Sequence, residues 1–264
     1  MGHRGWLSRR EALAGSAVAL APGLVRAQPA TPSTPTAPAE TVSMVMPGNV
    51  TFRAKFFKPN KLPSPGVIVV HDGWGPTADF EVMGANLAFE GMMGLVIDLT
   101  GGKTAENAEE AERLAKQVDE PLAAEVISVW HDWIRNRLES DGRISAFGFG
   151  PGGRWATNGS LWKAVNGLAL WSVRIENNPR ELHSIYEFVI GHFSDRDTTP
   201  GQVYVADLQQ RLRAAQREPH LFRYGSRPAF YNPRSPDYDK PDASLAWRRT
   251  ISIYKKMWNL PPAR

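Results

Sequence analysis

Short, continuously apolar runs alternate with helical stretches through the middle of this chain of 264 residues. The runs include Gly66–His71 (GVIVVH), Gly94–Asp98 (GLVID) and Gly167–Trp171 (GLALW). A run that is apolar at every position is typical of a strand buried on both faces of a parallel sheet. Because such strands alternate with helices, the predicted fold class is α/β, with a mostly parallel central sheet and helices on both faces.

The first 27 residues have the layout of an export signal. Arg9 and Arg10 precede a mildly apolar stretch, and Val25-Arg26-Ala27 before Gln28 is a small-x-Ala cleavage pattern. The segment Ser8–Leu13 (SRREAL) resembles the twin-arginine signal that directs folded proteins to export. We therefore expect a twin-arginine-type signal over residues 1–27 and a periplasmic protein. Retention of the segment as an anchor is the alternative, and we expect no other membrane span.

Residues 28–41 alternate proline with alanine, threonine and serine, which is typical of an extended linker. The folded domain is therefore predicted over residues 42–262. It should open with an antiparallel hairpin, because two β-favouring runs flank the turn signal Pro47-Gly48-Asn49.

Charge and cysteine content exclude several classes of function. The first 27 residues carry four arginines and one glutamate, so they hold +3 of the total net charge of +4 and leave +1 for the remainder. A nearly neutral domain has no global electrostatic attraction for nucleic acid. The chain has no cysteine, so a thiolate nucleophile and thiolate metal ligands are both ruled out.

The turn Gly148–Gly153 (GFGPGG) connects a predicted strand to a predicted helix. Tight glycine-flanked turns of this kind form nucleophile elbows with the pattern G-x-S-x-G or G-x-C-x-G. Taken alone, the glycines also fit an ordinary strand-to-helix turn or a phosphate-binding loop. Phosphate binding is disfavoured because Pro151 has no N–H to offer.

A series of motifs runs along residues 50–258 in this order: Val67–Gly75 (VIVVHDGWG), Glu90-Gly91 with Val96–Leu99 (VIDL), Gly148–Arg154 (GFGPGGR), Gly191–Asp197 (GHFSDRD) and Tyr224–Phe230 (YGSRPAF). The series resembles that of the dienelactone hydrolase family, in which the last three motifs read G-x-C-x-G-G-R, G-x-x-D and Y-x-G-x-G-H-x-F. The resemblance implies the α/β-hydrolase fold and hydrolysis of ester or lactone bonds in small carboxylate-bearing substrates.

Carried over residue by residue, the family's catalytic triad is incomplete. The nucleophile position holds Gly150, the acid position holds Asp197, and the histidine position holds Pro228, or the arginine before it if the match slips by one. The oxyanion hole in this fold uses the N–H of the residue after the nucleophile, which here is Pro151. The resemblance implies that the second donor of the hole comes from Gly73.

The resemblance and the ends of the predicted strands also suggest which residues surround the pocket. Asp72 occupies the position where the family commonly has a glutamate that faces the nucleophile. Aromatic residues with an arginine would suit an apolar ligand that bears a carboxylate. The expected pocket residues are His71, Asp72, Gly73, Trp74, Gly150, Pro151, Trp171, His192, Arg227 and Tyr231.

Two classes of function follow. The first is a catalytically inactive family member that binds a small ligand or a protein partner, and an accessory subunit of an exported assembly is one form of this hypothesis. The second is a hydrolase with non-standard residues, in which His71, His192, Asp72 or Asp197 act as acid–base groups or metal ligands. Because the spacing shows only that these residues are adjacent, a structural, hydrogen-bonded role is favoured for the histidines, and we predict no metal site and no cofactor.

Overall fold

The computed structural model describes residues 38–185, 187–197 and 201–261. The predicted export signal and the linker up to residue 37 lie outside these ranges. The first strand begins at Glu40, two residues before the predicted start of the domain.

Within the described residues, eight strands form one sheet. The strands are β1 (Glu40–Met46), β2 (Val50–Phe57), β3 (Ser64–Val70), β4 (Met93–Ile97), β5 (Ser140–Phe149), β6 (Gly167–Trp171), β7 (Phe188–Ser194) and β8 (Glu218–Tyr224). Seven helices connect or follow them: α1 (Ala78–Phe89), α2 (Ala108–Lys116), α3 (Glu120–Arg135), α4 (Pro151–Trp162), α5 (Pro179–Leu182), α6 (Gly201–Ala214) and α7 (Lys240–Trp258).

The order of the strands across the sheet is β1-β2-β4-β3-β5-β6-β7-β8. Strands β3 to β8 are parallel to one another, while β1 and β2 form an antiparallel hairpin that joins the sheet beside β4. The predicted α/β class, the mostly parallel sheet and the opening hairpin are therefore confirmed.

The core consists of two layers, one on each face of the sheet. In β3, Ile68 and Val70 pack in one layer, whereas Val67 and Val69 pack in the other. This alternation follows from the two-residue repeat of a strand, and it explains why the central strands are apolar at every position. Helices α3, α4 and α6 cover the first layer, and helices α1 and α7 cover the second.

Helix α5 is the element that the sequence patterns do not reveal. It has four residues, too few for a helical repeat of apolar positions. It is held by a capping box, in which the side chains of Asn178 and Glu181 bind each other's backbone N–H groups. None of the described helices is long and apolar enough to span a membrane.

Candidate functional site

The turn between β5 and α4 is a sharp elbow. Gly150 has φ 50° and ψ −126°, a conformation that strains any residue with a side chain. The helix starts so close to the sheet that a Cβ on Gly152 would overlap the carbonyl oxygen of His71, and one on Gly148 would lie 2.5 Å from the Cα of Gly153. The glycines of the motif are therefore needed for this close packing, as expected for a nucleophile elbow.

A cavity of about 510 Å³ opens above Gly150, within the usual size range of small-molecule pockets. A Cβ built on Gly150 would lie 2.9 Å from the Tyr231 hydroxyl and 3.6 Å from the Asp72 Cβ. A side chain at this position would thus project into the cavity. The lining consists of Asp72, Gly73, Trp74, Ala111, Glu112, Ala115, Lys116, Val118, Glu120, Gly150, Pro151, Arg154, Ser172, Pro228, Ala229 and Tyr231.

The positions of the expected triad are only partly brought together. Gly150 and Pro228 both line the cavity, so the nucleophile and histidine positions lie at one site without the side chains that the chemistry requires. Asp197 follows β7, is half-buried and is not among the lining residues. No described residue forms a hydrogen bond with its side chain. Pro151 lies on the wall, where the elbow would otherwise present an N–H.

Asp72 is the best-connected polar side chain of the cavity. Its Oδ1 accepts a hydrogen bond from the Trp74 N–H at 2.9 Å. Its Oδ2 accepts bonds from the Asn232 amide at 2.7 Å and from the Tyr231 hydroxyl at 3.2 Å. Burial raises the pKa of Asp72 to about 6, although these hydrogen bonds oppose the shift. Asp72 therefore titrates much closer to neutral pH than an exposed aspartate does.

Tyr231 lies between Asp72 and the space above Gly150. Burial, together with the negative charge of Asp72, raises the pKa of its hydroxyl well above the ordinary value. The hydroxyl therefore keeps its proton and donates a hydrogen bond to Asp72. Asn232, which the sequence patterns did not single out, anchors the same carboxylate from the next position along the chain.

His71 was expected at the pocket, but it does not line the cavity. Its ring is buried, where Nδ1 donates to the Asp72 carbonyl oxygen at 2.7 Å and Nε2 accepts from the Leu99 N–H at 3.2 Å. Burial lowers its pKa, so the ring is neutral. The end of β3 does lie at the site, but successive side chains point to opposite faces, and it is the next residue, Asp72, that reaches the cavity.

His192 and Trp171 were also expected at the pocket, and they do not line the cavity either. His192 is buried between Tyr224 and Thr250, whose hydroxyls lie 2.9 Å from Nδ1 and 2.7 Å from Nε2. Burial lowers its pKa to about 3. Trp171 stacks on Phe149 with the ring centroids 4.4 Å apart. Both residues belong to the core beneath the site and not to its lining.

The hypothesis of a histidine–carboxylate cluster is not supported by this arrangement. His71 and His192 are fixed in separate hydrogen-bond networks, and Asp197 is not a hydrogen-bond partner of either ring. Among the described residues, no group of three or more histidine, aspartate or glutamate side chains is arranged to hold a metal ion. Of the four candidates, only Asp72 borders the cavity.

Arg227, the arginine expected at the pocket, does not line the cavity either. Arg227 has 69% of its side chain exposed and lies 3.7 Å from Asp237, outside the cavity. The basic side chains that do line the cavity are Lys116, paired with Glu112 at 2.6 Å, and Arg154, paired with Glu120 at 2.8 Å.

The sequence could have drawn attention to one of these two basic residues. Arg154 closes the motif GFGPGGR, directly after the elbow. Lys116 shows only the i,i+4 Glu–Lys spacing of an ordinary exposed helix.

Comparisons with known proteins agree with this geometry. The model of the dienelactone hydrolase family matches residues 52–258. The chain belongs to this family. No curated protein is significantly similar to it in sequence.

Several solved structures share its fold. A dienelactone hydrolase-like promiscuous phosphotriesterase from metagenomic libraries has a TM-score of 0.72 at 16% identity, covering 83% of this chain and 98% of that one. A putative dienelactone hydrolase from Klebsiella pneumoniae has a TM-score of 0.68 at 18% identity, covering 83% and 99%. An esterase from Thermogutta terrifontis has a TM-score of 0.60 at 16% identity, covering 85% and 94%.

The buried His192 should make stability depend on pH. Unfolded histidine titrates near 6.5 and folded His192 at about 3, so its stabilising contribution is present above pH 6.5 and is lost as the pH falls towards 3. At about 1.4 kcal/mol per pH unit, the loss between pH 7 and pH 5 is about 2 kcal/mol. This loss in the free energy of unfolding is measured by urea unfolding of the wild type and of His192→Gln at both pH values. The wild type should lose about 2 kcal/mol more than the variant, and equal losses would contradict the prediction.

Proposed function

We propose that this chain binds a small ester, lactone or carboxylate-bearing molecule in the cavity above Gly150 and does not attack it covalently. The observation that carries the proposal is the elbow itself. Gly150 has the backbone conformation of a nucleophile and projects towards the cavity, yet it offers no side chain. The binding site is therefore kept while the attacking group is missing.

Three separate parts of the acyl-transfer machinery are missing from the cavity wall. Gly150 cannot form an acyl-enzyme, Pro228 cannot take a proton from a nucleophile, and Pro151 cannot donate an N–H to a developing oxyanion. Loss of one oxyanion donor alone costs about 10²–10³ in rate. The combined loss argues against the covalent mechanism and favours binding.

The chemical class of the ligand is suggested by the family and by the lining. Dienelactone hydrolases and esterases are the proteins that this chain resembles in structure. The lining combines apolar residues with Lys116 and Arg154 near acidic partners, which suits a small molecule with both an apolar part and an acidic or carbonyl group.

Restoring a nucleophile at position 150 tests this proposal. Because the chain has no cysteine, Gly150→Cys introduces a single thiol that projects into the cavity. Its thiolate should attack p-nitrophenyl acetate, form a thioester and release p-nitrophenolate, once per molecule, at a pH of about 8.5 where half of an ordinary thiol is ionised. Acetophenone, a ketone that cannot be hydrolysed, should slow this step by occupying the cavity.

The matched control is Gly225→Cys, which places the thiol on an exposed residue with open space around it. Acetophenone should not protect that thiol. Intact-mass spectrometry follows acetylation in both variants and in the wild type. Acetylation of the wild-type protein, or equal protection of both thiols, would contradict the proposal.

A second candidate function is hydrolysis by activated water, and a specific observation favours it. Asp72 borders the cavity with a pKa of about 6, in the range of a general base, and its Cβ lies 3.6 Å from where a nucleophile's Cβ would be. In this mechanism Asp72 takes a proton from water, the water oxygen bonds to the ester carbon, and the proton passes to the departing alkoxide. The hydrolases and esterases among the structural neighbours favour this candidate over an inactive protein.

Asp72→Asn separates the two candidates. If water is activated by Asp72, the wild type should hydrolyse phenyl acetate faster than buffer does, with a rate that rises as the pH passes through about 6. The variant should lose about 10²-fold or more of that rate. The control is Asp141→Asn, because Asp141 lies at the end of β5 opposite to the elbow. This variant should keep the wild-type rate. A wild-type rate equal to that of buffer would eliminate this second candidate.

We also propose that the protein acts in the periplasm after export in a folded state. The support is the segment Ser8–Leu13, with its two arginines ahead of an apolar stretch. Changing both Arg9 and Arg10 to lysine keeps the charge but removes the arginine pair. Cell fractionation should then find an uncleaved precursor in the cytoplasm, and unchanged delivery to the periplasm would contradict the twin-arginine route.

A further inference from the structure

A second cavity lies beside the segment that follows β6. Val173 and Ile175 of this segment are buried in the core, whereas Arg174 between them is partly exposed. Arg154 borders both this cavity and the one above Gly150, so the two cavities share one residue. The second cavity has a volume of about 310 Å³ and is lined by Arg154, Asn158, Arg174, Ile175, Glu176, Asn177 and Glu181.

The Arg174 guanidinium has no neutralising partner. It forms no hydrogen bond and no ion pair within the described residues. Its Nη2 is shielded from water, but Nε and Nη1 are exposed to water, so a small molecule in the cavity can contact them. The guanidinium carbon lies 4.9 Å from the centroid of the Tyr204 ring. This cation–π contact holds the side chain in place and leaves its positive charge available.

Helix α6 fixes the backbone next to Arg174. The Tyr204 hydroxyl accepts a hydrogen bond from the Ile175 N–H at 2.8 Å. Arg211 donates to the Ile175 carbonyl oxygen at 3.1 Å and to the Asn177 carbonyl oxygen at 2.6 Å. The wall of the cavity is therefore already ordered, and a ligand need not order it on binding.

The other polar groups of the lining include two amides and two carboxylates. The side-chain amides of Asn158 and Asn177 have no hydrogen-bond partner within the described residues, and each offers N–H donors. Glu181 accepts from the Asn178 N–H at 2.8 Å in the capping box. Neither Glu176 nor Glu181 forms an ion pair with a described residue, so neither neutralises the guanidinium directly.

We propose that the second cavity binds a small carboxylate, to which Arg174 and the amides of Asn158 and Asn177 donate hydrogen bonds. Hydrogen bonds between ionised partners are the strong ones, which suits an arginine whose charge is unpaired. Glu176 and Glu181 repel a doubly charged phosphate more than a singly charged carboxylate, so a carboxylate is favoured. This site does not rest on the proposed function, because it needs no ligand above Gly150.

NMR titrations of the isotope-labelled protein with benzoate and with benzamide test this proposal, because benzamide has the same shape without the charge. Benzoate should shift the side-chain amide signals of Asn158 and Asn177, and benzamide should not. Arg174→Gln should weaken benzoate binding about tenfold or more, the effect of losing one charged hydrogen bond. The matched control is Arg180→Gln, which removes an exposed arginine of α5 outside the cavity and should leave the affinity unchanged.

Asn158→Asp is a second variant that keeps Arg174 and its contact with Tyr204. It places a negative charge in the cavity and should also weaken benzoate binding about tenfold or more. Equal shifts with benzoate and benzamide, or equal benzoate affinity in Arg174→Gln and Arg180→Gln, would overturn the proposal. Tighter binding of inorganic phosphate than of benzoate at these amides would overturn the carboxylate class.

Binding above Gly150 is followed separately, from the backbone signals of Gly73 and Gly150 in the same spectra. Benzoate shifts confined to those signals would overturn the second site and leave the proposed function intact. Benzoate shifts at Asn158 and Asn177 that persist in Gly150→Cys would support a site independent of the elbow.

Discussion

The site depends on the close contact between the start of α4 and the ends of β3 and β5. Gly152 passes so near the His71 carbonyl that no side chain fits between them, and Gly148 and Gly153 touch in the same way. This contact forces the sharp turn at Gly150 and fixes the end of β3, from which Asp72 enters the cavity. The geometry of the elbow is thus set by backbone packing, and it persists without a catalytic side chain.

The polar groups around this contact are largely satisfied by one another. His71 and His192 are neutral and have both ring nitrogens bonded, while Asp72 accepts three hydrogen bonds. A network in which every member has a partner holds the loops in place, but it leaves few groups available for proton transfer. Asp72, whose pKa burial raises to about 6, is the side chain of the cavity that titrates near neutral pH. The water-activation alternative rests on Asp72, whereas the binding proposal rests on the elbow at Gly150.

Much of the fold and part of the site could be predicted from the sequence. Runs such as GVIVVH reveal strands buried on both faces, and the glycines of GFGPGG mark the elbow, because both signals come from local sterics. The directions of side chains could not be predicted in this way. His71 and Asp72 are adjacent at the same strand end, yet one enters the core and the other the cavity. The place of Lys116 on the cavity wall arises from tertiary packing, so no local pattern reveals it.

A crystal structure of the protein soaked with phenyl acetate would test the central claim most directly. The account predicts an intact ligand, or its released products, lying in the cavity above Gly150 without a bond to the protein. An acetyl group attached to a protein side chain, or a cavity that holds only water, would contradict it.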